Sequence, residues 1–361
     1  MVKIPTSITL NGHHFGAEEL IGFSQAQLLR PDIPCWEGEI FRFILEWVSE
    51  DSFVVVHTSG STGIPKIIEQ PKERMINSAL MTAEYFGLDG HTVALLCLPV
   101  SYIAGKMMIV RAFVTGMNLI AVEPSSNPFS VLPGKIHFAA ITPFQLAHSL
   151  TALKDVPVDI VIVGGGEIPH DLEMQCQQVP SNLYATYAMT ETSSHIAIRA
   201  VNGAQKSSYY EVLKNVRVSV DERSCLVINA PYLNPELLVT NDIVIIKDDT
   251  HFEWIGRSDS IINSGGLKIF PEQVEKKLFS LIPRRFFIAG LPNAQLGEKV
   301  ALFIESQPYS TQQLQELKKS MASTLTRFEL PRQIVFIPVF DLSSAGKILK
   351  KLIVSGYLNG L

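Results

Sequence analysis

The sequence predicts an α/β fold with a large N-terminal domain of helix-covered sheets, a β-rich subdomain within it, and a small C-terminal α+β domain. Three changes of pattern along the chain lead to this prediction. From Phe53 short apolar runs alternate with helical ones, after about Ser207 the strands become shorter and more alternating, and beyond Gly256 a compact mixture of strands and helices follows. We therefore expect the large domain at residues 1–256 and the small domain at residues 257–361.

The first pattern is typical of a sheet covered by helices. Its expected strands are almost continuously apolar, which favours burial on both faces. In chain order the segments are the strand FVVVH, the helix ERMINSALMTAEYF, the strand TVALLCLP, the helix IAGKMMIVRAFVTG, the strands NLIAVE and KIHFAAIT, the helix PFQLAHSLTAL and the strand DIVIV.

The later patterns predict different strand arrangements. VRVSVDERSCLVINAP and DIVIIKDDTHFEWIG each contain turn residues between alternating segments, which indicates antiparallel pairs. The C-terminal part then predicts the helix PEQVEKKLFSLI, the strands RFFIAGL and KVALFIES, the helix QQLQELKKSMASTL and the strand RQIVFIPV.

Composition argues against several classes of protein. A formal net charge of -5 argues against a nucleic-acid-binding surface. The four cysteines form no CxxC pair, which favours reduced thiols in the cytoplasm over a disulfide scaffold or a zinc site. No stretch approaches the roughly 20 apolar residues that a membrane-spanning helix needs. We expect a cytoplasmic protein with no transmembrane segment, whose oligomeric state the sequence does not predict.

The segment TSGSTGIPK, residues 58–66, is a candidate phosphate-binding loop. Its glycines allow the backbone to approach a ligand, and its hydroxyls and amides can donate hydrogen bonds to anionic oxygens. It matches neither GxxxxGK[ST] nor GxGxxG, which argues against a Walker-type NTPase or a Rossmann reductase. A Ser/Gly surface turn between a strand and a helix is the alternative.

This segment resembles the phosphate loop of the adenylate-forming superfamily, which contains acyl-CoA synthetases, peptide-synthetase adenylation domains and luciferases. Further motifs of that superfamily follow in the same order: YAMTET at 187–192, TND at 240–242, GRSDSIINSGGLKIFPEQVE at 256–275, and SSAGK ending at Lys347. The resemblance implies an enzyme that joins a carboxylate to the α-phosphate of ATP with Mg²⁺, releases pyrophosphate, and passes the acyl group to CoA.

The resemblance also implies a role for each residue of the nucleotide site. Glu191 would bind Mg²⁺, Thr190 would contact the α-phosphate, and Asp242 with Arg257 would hold the ribose. Pyrophosphate would be bound by Thr58, Ser59, Gly60, Ser61, Thr62, Gly63 and Lys66, and adenine would lie against Tyr187 and the glycine run Gly164, Gly165 and Gly166. Without the resemblance, a solvated acid, surface charges and a plain strand-to-helix turn are the alternatives for these motifs.

In the small domain the resemblance implies a catalytic lysine that leaves the active site when the domain rotates. Lys347 would bridge the carboxylate and the α-phosphate during adenylation. Asp259 matches the superfamily's hinge position, and Gly265 would lie beside the tunnel for the CoA thiol after the domain rotates. A basic helix start is the alternative for Lys347, because Lys350 and Lys351 follow closely.

Within the superfamily, the early position of the first motif and the segment LPVSYIAGKMMIVRA resemble short o-succinylbenzoate:CoA ligases of menaquinone biosynthesis. Such an enzyme must recognise a second, aromatic carboxylate without activating it, and a buried anion needs a partner. Lys106 is the preferred candidate over Arg111, which lies roughly 140° away around an ideal helix. Tyr102 and His195 are further candidates for the acyl pocket.

The bland alternatives for these three residues are a lysine at a helix edge, a core tyrosine and a supporting histidine. For the whole chain, three alternatives are open. They are activation of another aryl or acyl acid, transfer to a carrier protein instead of CoA, and a catalytically silent nucleotide-binding protein.

Overall fold

The structure, a computed structural model, describes residues 3–57, 67–130, 132, 134–156, 158–342 and 348–360. Within these ranges the helices are α1 (Ala17–Leu28), α2 (Cys35–Val48), α3 (Lys72–Phe86), α4 (Ile103–Thr115), α5 (Pro143–Asp155), α6 (His170–Cys176), α7 (Pro271–Leu278), α8 (Thr311–Thr324) and α9 (Lys350–Asn359).

The strands of the described ranges fall into a large sheet, a small sheet and a separate hairpin. They are β1 (Ile8–Leu10), β2 (His13–Phe15), β3 (Phe53–His57), β4 (Ile67–Pro71), β5 (Val93–Leu96), β6 (Asn118–Ala121), β7 (Phe138–Ile141), β8 (Ile160–Val163), β9 (Asn182–Ala188), β10 (His195–Ala200), β11 (Tyr210–Val212), β12 (Arg217–Val220), β13 (Cys225–Asn229), β14 (Leu238–Asp248), β15 (His251–Arg257), β16 (Ile262–Ser264), β17 (Leu267–Ile269), β18 (Phe286–Asn293), β19 (Gly297–Glu305) and β20 (Gln333–Ile337).

The large sheet joins a parallel half to an antiparallel half. Its strand order is β12-β13-β14-β15-β11-β10-β9-β8-β7-β5-β6-β1-β2. Neighbours from β9 through β8, β7, β5 and β6 to β1 pair in parallel, whereas those from β9 to β12 pair antiparallel. The predicted β-rich segment therefore extends the same sheet.

The parallel half is buried on both faces, as its apolar strands predict. Ala94 and Leu96 of β5 pack into a core with Trp47 of α2. Leu95, between them, packs into a second core with Leu146 of α5. Successive side chains of a strand point to opposite faces, so two helical layers cover this half of the sheet.

Two helices begin at reciprocal side-chain caps. The Oγ1 atom of Thr142 accepts a hydrogen bond from the backbone N–H of Gln145 at 3.2 Å, and the Gln145 side chain accepts from the Thr142 N–H at 3.1 Å. Ser310 and Gln313 form the same arrangement at α8. These caps satisfy backbone donors that the first turn of a helix leaves without partners.

The C-terminal unit is built on the small sheet. Its strand order is β17-β16-β19-β18, and β20 pairs in parallel with residues 301–305 of β19. One face packs Leu302 against Leu317 of α8, and the other packs Phe303 against Ile353 of α9. The predicted α/β class with a β-rich segment and a small α+β unit is confirmed.

The strand FVVVH departs from the expected arrangement. In the ranges that the structure describes, β3 pairs only with β4, as an antiparallel hairpin outside the large sheet. Val54 and Val56 are nevertheless fully buried in the core that contains Trp47. An apolar run identifies a buried strand but not the sheet to which it belongs.

None of the described helices is long and apolar enough to cross a membrane.

Candidate functional site

Two predicted motifs lie outside the described residues. They are the phosphate segment with Thr58, Ser59, Gly60, Ser61, Thr62, Gly63 and Lys66, and the residues 343–347 that end at Lys347. Their flanks are described. His57 and Ile67 are register partners in the β3–β4 hairpin, so the two residues that flank the phosphate segment lie side by side.

The predicted ribose residues lie together in the antiparallel half of the large sheet. Asp242 of β14 and Arg257 of β15 are direct register partners, and Nη1 of Arg257 is 3.7 Å from Oδ1 of Asp242. The hydroxyl of Tyr187 donates to Oδ2 of Asp242 at 2.6 Å, and Nε1 of Trp254 donates to Oδ1 at 3.3 Å. Burial, followed by the Asp242 carboxylate, raises the pKa of Tyr187 well above its usual value.

The predicted glycine run follows β8 and faces the neighbouring strand β9. A Cβ atom at Gly164 would lie 2.6 Å from Oγ1 of Thr186, so a larger side chain requires Thr186 to move. Gly165 has a φ of +82°, which favours glycine. Tyr187 follows Thr186 on β9, so the run lies beside the strand that carries the tyrosine. Gly166 is exposed beyond them.

The predicted metal ligand lies on a single 3₁₀ turn, Thr190–Thr192, directly after β9. Oγ1 of the buried Thr192 lies 2.7 Å from the carbonyl oxygen of Ser194 and 3.0 Å from that of Met189, so its single proton can be donated to either, which fixes the turn. Glu191 is exposed, and among the described residues no cation pairs with it. The Glu191 carboxylate is therefore free to act as a hard oxygen ligand. The described part of the chain contains no group of three or more His, Cys, Asp or Glu residues that could hold a metal ion.

A buried polar chain extends from His195. Nε2 of His195 lies 3.2 Å from Oγ1 of Thr82, and its Nδ1 lies 3.3 Å from Oγ of Ser194. Arg111 donates from Nη2 to the same Ser194 Oγ at 2.8 Å. Burial, and then the charge of Arg111, keeps the pKa of His195 well below its ordinary value, so the imidazole is neutral.

Arg111 is the buried cation of this region. Its side chain is 2% exposed, and burial lowers its pKa to about 10. Its Nε atom is buried and has no hydrogen-bond partner among the described residues. A buried charge without a counter-charge is costly, which makes this guanidinium a candidate for an anionic ligand.

Lys106 has different partners. Its Nζ atom is 3.2 Å from Oε2 of Glu46 and donates to the carbonyl of Val55 at 2.9 Å. Tyr102 is the residue before the first turn of α4. The structure therefore brings Arg111, rather than Lys106, beside Ser194 and His195.

The hinge candidate Asp259 lies on the connection between the two sheets. Its carboxylate accepts hydrogen bonds from Nε and Nη2 of Arg257 at 2.8 and 3.2 Å, and Lys351 of α9 lies 3.9 Å away. The hydrogen bond from Arg257 is the main reason that the pKa of Asp259 is lowered. One guanidinium thus contacts both the ribose candidate and the hinge candidate.

Gly265 lies at the tip of the β16–β17 hairpin. Its φ is +59°, and its N–H donates to the carbonyl of Leu296 at 2.8 Å. A Cβ atom there would lie 3.1 Å from the Leu296 side chain. The position is therefore narrow as well as conformationally demanding.

A crevice of about 1040 Å³ separates the large sheet from the small unit. Tyr210, Arg199 and Trp254 line it on one side, and Glu272, Lys276 and Arg284 line it on the other. Trp254 is also bonded to Asp242, so the crevice adjoins the ribose candidates. Sequence reasoning did not identify Trp254 or Thr82, because isolated residues of these types carry no signal before the strand register is known.

Comparisons with known proteins identify the family to which the chain belongs. The sequence model of the family described as "AMP-binding enzyme" matches residues 36–228. The 2-succinylbenzoate–CoA ligase of Lactococcus lactis is 23% identical over 326 residues, which cover 85% of this chain and 71% of that enzyme.

Solved structures extend the similarity. The acyl-CoA synthetase (AMP-forming)/AMP-acid ligase II-like protein of Dyadobacter fermentans is 34% identical with a TM-score of 0.61, over 93% of this chain and 97% of that one. The o-succinylbenzoate CoA synthetase of Bacillus subtilis in complex with an acyl-adenylate intermediate is 17% identical, with a TM-score of 0.77 over 97% of this chain and 95% of that one. The same enzyme has been solved with ATP and magnesium ion, at 16% identity and a TM-score of 0.75 over 96% of both chains.

Proposed function

Because the chain belongs to the AMP-binding enzyme family, we propose that it is an AMP-forming acid–CoA ligase whose acid is o-succinylbenzoate. The observation that carries the nucleotide half of this proposal is the cluster of Tyr187, Asp242, Trp254 and Arg257 beside the glycine run. The names of the Lactococcus and Bacillus relatives support the choice of acid.

In the first step a carboxylate oxygen of the acid attacks the α-phosphorus of ATP, and the bond to pyrophosphate breaks. The product is an acyl adenylate. The departing phosphates are held by Lys66 and by the hydroxyls of Thr58, Ser59, Ser61 and Thr62. Lys347 offsets the negative charge between the carboxylate and the α-phosphate. The exposed carboxylate of Glu191 would hold Mg²⁺, which is usually bound by one or two carboxylates and by phosphate oxygens, and the ion would offset phosphate charge.

The nucleotide is oriented by neutral and anionic groups of the large sheet. Asp242 accepts hydrogen bonds from the ribose hydroxyls with its two oxygens, and Arg257 holds that carboxylate in place. Adenine lies against Tyr187 and the backbone at Gly164 and Gly165, which carries no side chain.

In the second step the CoA thiolate attacks the acyl carbon, the bond to AMP breaks, and a thioester forms. Rotation about Asp259 withdraws Lys347 and brings Gly265 to the thiol path. CoA is therefore a co-substrate, and the two steps use one acyl site in turn.

The aromatic carboxylate of o-succinylbenzoate requires a counter-charge, and Arg111 suits this role better than Lys106. Lys106 already has a carboxylate partner in Glu46, whereas the acceptors of the buried Arg111 side chain among the described residues are a hydroxyl and a thioether. The anion of the substrate would neutralise a charge that the fold has buried at a cost.

The direct test is pyrophosphate release with ATP, Mg²⁺ and o-succinylbenzoate, with and without CoA, followed by mass analysis of the thioester. We expect release with this acid and an acyl-CoA product. Release only with other acids would overturn the choice of substrate, product formation only on a carrier protein would overturn CoA, and no release with any acid would leave a nucleotide-binding protein. Lys347→Ala is the matched negative control for background ATPase activity.

A further inference from the structure

The backbone of Val55 is held on one edge by two charged side chains. Its N–H donates to Oε1 of Glu46 at 2.7 Å, and its carbonyl accepts from Nζ of Lys106 at 2.9 Å. The same ammonium is 3.2 Å from Oε2 of Glu46. The three contacts close a ring that joins α2, α4 and β3.

This ring is partly shielded from solvent. The side chains of Lys106 and Glu46 are 11% and 30% exposed, and Nζ of Lys106 lies 4.7 Å from the ring centre of Phe43. Hydrogen bonds that involve a charged group are shorter and stronger than neutral ones, and breaking a buried ion pair from one side leaves an uncompensated charge. The ring is therefore a rigid attachment, although it forms one wall of a small cavity of about 320 Å³.

Its location gives the ring a specific consequence. β3 pairs only with β4 among the described strands, so its second edge has no strand partner there. Glu46 and Lys106 supply one acceptor and one donor to Val55, as a neighbouring strand would. Val55 lies two residues before His57, where β3 ends and the predicted phosphate segment 58–66 follows.

We propose that Glu46 and Lys106 are a positioning pair that fixes where the chain enters the phosphate segment, and that they thereby strengthen binding of the β- and γ-phosphates of ATP. Neither residue is proposed to contact the acid. The inference rests on the proposed function only in that segment 58–66 binds phosphate, and it is independent of which acid is activated.

The test compares ATP with AMP, because AMP uses the ribose and adenine site but lacks the β- and γ-phosphates. Binding of ATP with Mg²⁺ and of AMP to the full chain is measured by calorimetry. Lys106→Met should raise the Kd for ATP by about tenfold or more, since small misplacements of a binding group are costly, and should leave the Kd for AMP unchanged. Glu46→Gln, which retains an acceptor for the Val55 N–H, should raise the Kd for ATP by less. Lys106→Arg, which retains the positive charge, should bind ATP as the wild type does.

Lys72→Met is the matched control. Lys72 is also a buried lysine that contacts the end of α2, where its Nζ donates to the Ser49 carbonyl at 2.9 Å, but it does not touch the free edge of β3. We expect a loss of thermal stability in this variant with no change in the ratio of the ATP and AMP dissociation constants.

Several results would overturn the positioning role. They are an unchanged ATP Kd in Lys106→Met, a parallel loss of ATP and AMP binding, and a rise only in the KM of the acid. If Lys106→Met does not fold, Glu46→Gln is compared with Lys106→Arg. The ratio of the ATP and AMP dissociation constants should then rise in Glu46→Gln and stay at the wild-type value in Lys106→Arg. A wild-type chain that binds ATP more tightly than AMP yet activates no acid would contradict the proposed enzyme function but not the positioning role. Equal affinity of the wild-type chain for both nucleotides would show that segment 58–66 does not bind phosphate, and would overturn the positioning role.

Discussion

Arg111 places a full positive charge where water does not reach. Its hydrogen-bond acceptors in the described structure are the Ser194 hydroxyl and the Met108 thioether, neither of which carries charge. If the aromatic carboxylate of the substrate is its counter-ion, Arg111→Met should raise the KM for o-succinylbenzoate by about 10- to 100-fold, the value of a hydrogen bond to a charged group. Steady-state pyrophosphate release measures this change.

The matched substrate is 3-benzoylpropionate, which lacks only the aromatic carboxylate. It should bind the wild-type enzyme poorly and should be affected little by Arg111→Met. Equal changes in KM for both acids would mean that the arginine supports the pocket in general and reads no second carboxylate.

His195 gives the fold a pH dependence of predictable sign. Its folded-state pKa is depressed, so below the unfolded value of about 6.5 the unfolded chain takes up a proton that the folded chain does not. The stability contributed by the neutral imidazole is fully present above about pH 6.5 and falls by about 1.4 kcal/mol per pH unit below it. Denaturant unfolding between about pH 5 and pH 7 measures this slope.

His195→Gln should flatten that slope regardless of its effect on absolute stability. His148→Gln, at an exposed position of α5, is the matched control and should retain the wild-type slope. An unchanged slope in His195→Gln would show that other groups determine the pH dependence.

At the scale of the elements, α4 packs so closely that its third residue must be glycine. A Cβ atom on Gly105 would lie 2.4 Å from the carbonyl oxygen of Pro99, which is backbone and cannot move aside cheaply. We expect Gly105→Ala to lower the free energy of unfolding by about 1–3 kcal/mol or more through overpacking. Chemical denaturation measures this loss.

Gly22 of α1 is the matched control because a Cβ atom there meets nothing within 4 Å. Gly22→Ala should stabilise the chain by up to about 1 kcal/mol, since alanine loses less backbone entropy in a helix. Similar effects of the two substitutions would contradict the close contact between α4 and the loop before it.

The elements differ in how far the sequence could predict them. Strands of the parallel half and helices α3 to α5 follow from apolar periodicity, because both faces or one face of each element are buried. The β3–β4 hairpin did not follow, since β4 is a short, partly exposed strand, IIEQP, with weak alternation. Which edge of β3 is free, and which side chains cover it, depends on tertiary packing.

The candidate site divides in the same way. Tyr187, Asp242 and Arg257 could be proposed from ordered motifs, although their mutual contacts depend on the register of β14 with β15. The Arg111–Ser194 contact joins residues 83 positions apart, and no periodicity within α4 distinguishes Arg111 from Lys106 as a ligand for the acid. The two residues differ in their partners, since Lys106 contacts the Glu46 carboxylate and Arg111 contacts the Ser194 hydroxyl. Only the folded chain shows this difference.

At the scale of the whole molecule, Arg257 links the proposed nucleotide site to the connection between the sheets. It contacts Asp242 with one nitrogen and Asp259 with two others, and Asp259 in turn lies near Lys351 of α9. These contacts are partly exposed, so each is individually weak. Their arrangement nevertheless connects the Asp242 carboxylate, through Arg257 and Asp259, to the start of the C-terminal helix.

A hinge at Asp259 has opposite consequences for the two steps of the proposed reaction. Proline fixes φ, so Asp259→Pro should spare adenylate formation in the conformation that holds Lys347 at the phosphate and depress thioester formation after it. Lys347→Ala should do the reverse, blocking adenylation but transferring a supplied acyl adenylate to CoA. Single-turnover assays of each half-reaction measure the two effects.

Asp259→Ala separates backbone restriction from loss of the ion pairs with Arg257 and Lys351. It removes the same carboxylate as proline does but leaves φ free, so it should retain more thioester formation than Asp259→Pro. If alanine and proline depress thioester formation equally, the carboxylate contacts matter and the rotation about this residue does not. If Asp259→Pro slows both half-reactions alike, the small domain performs both steps in one arrangement, and Lys347 and Gly265 must then reach the acyl group without exchanging places.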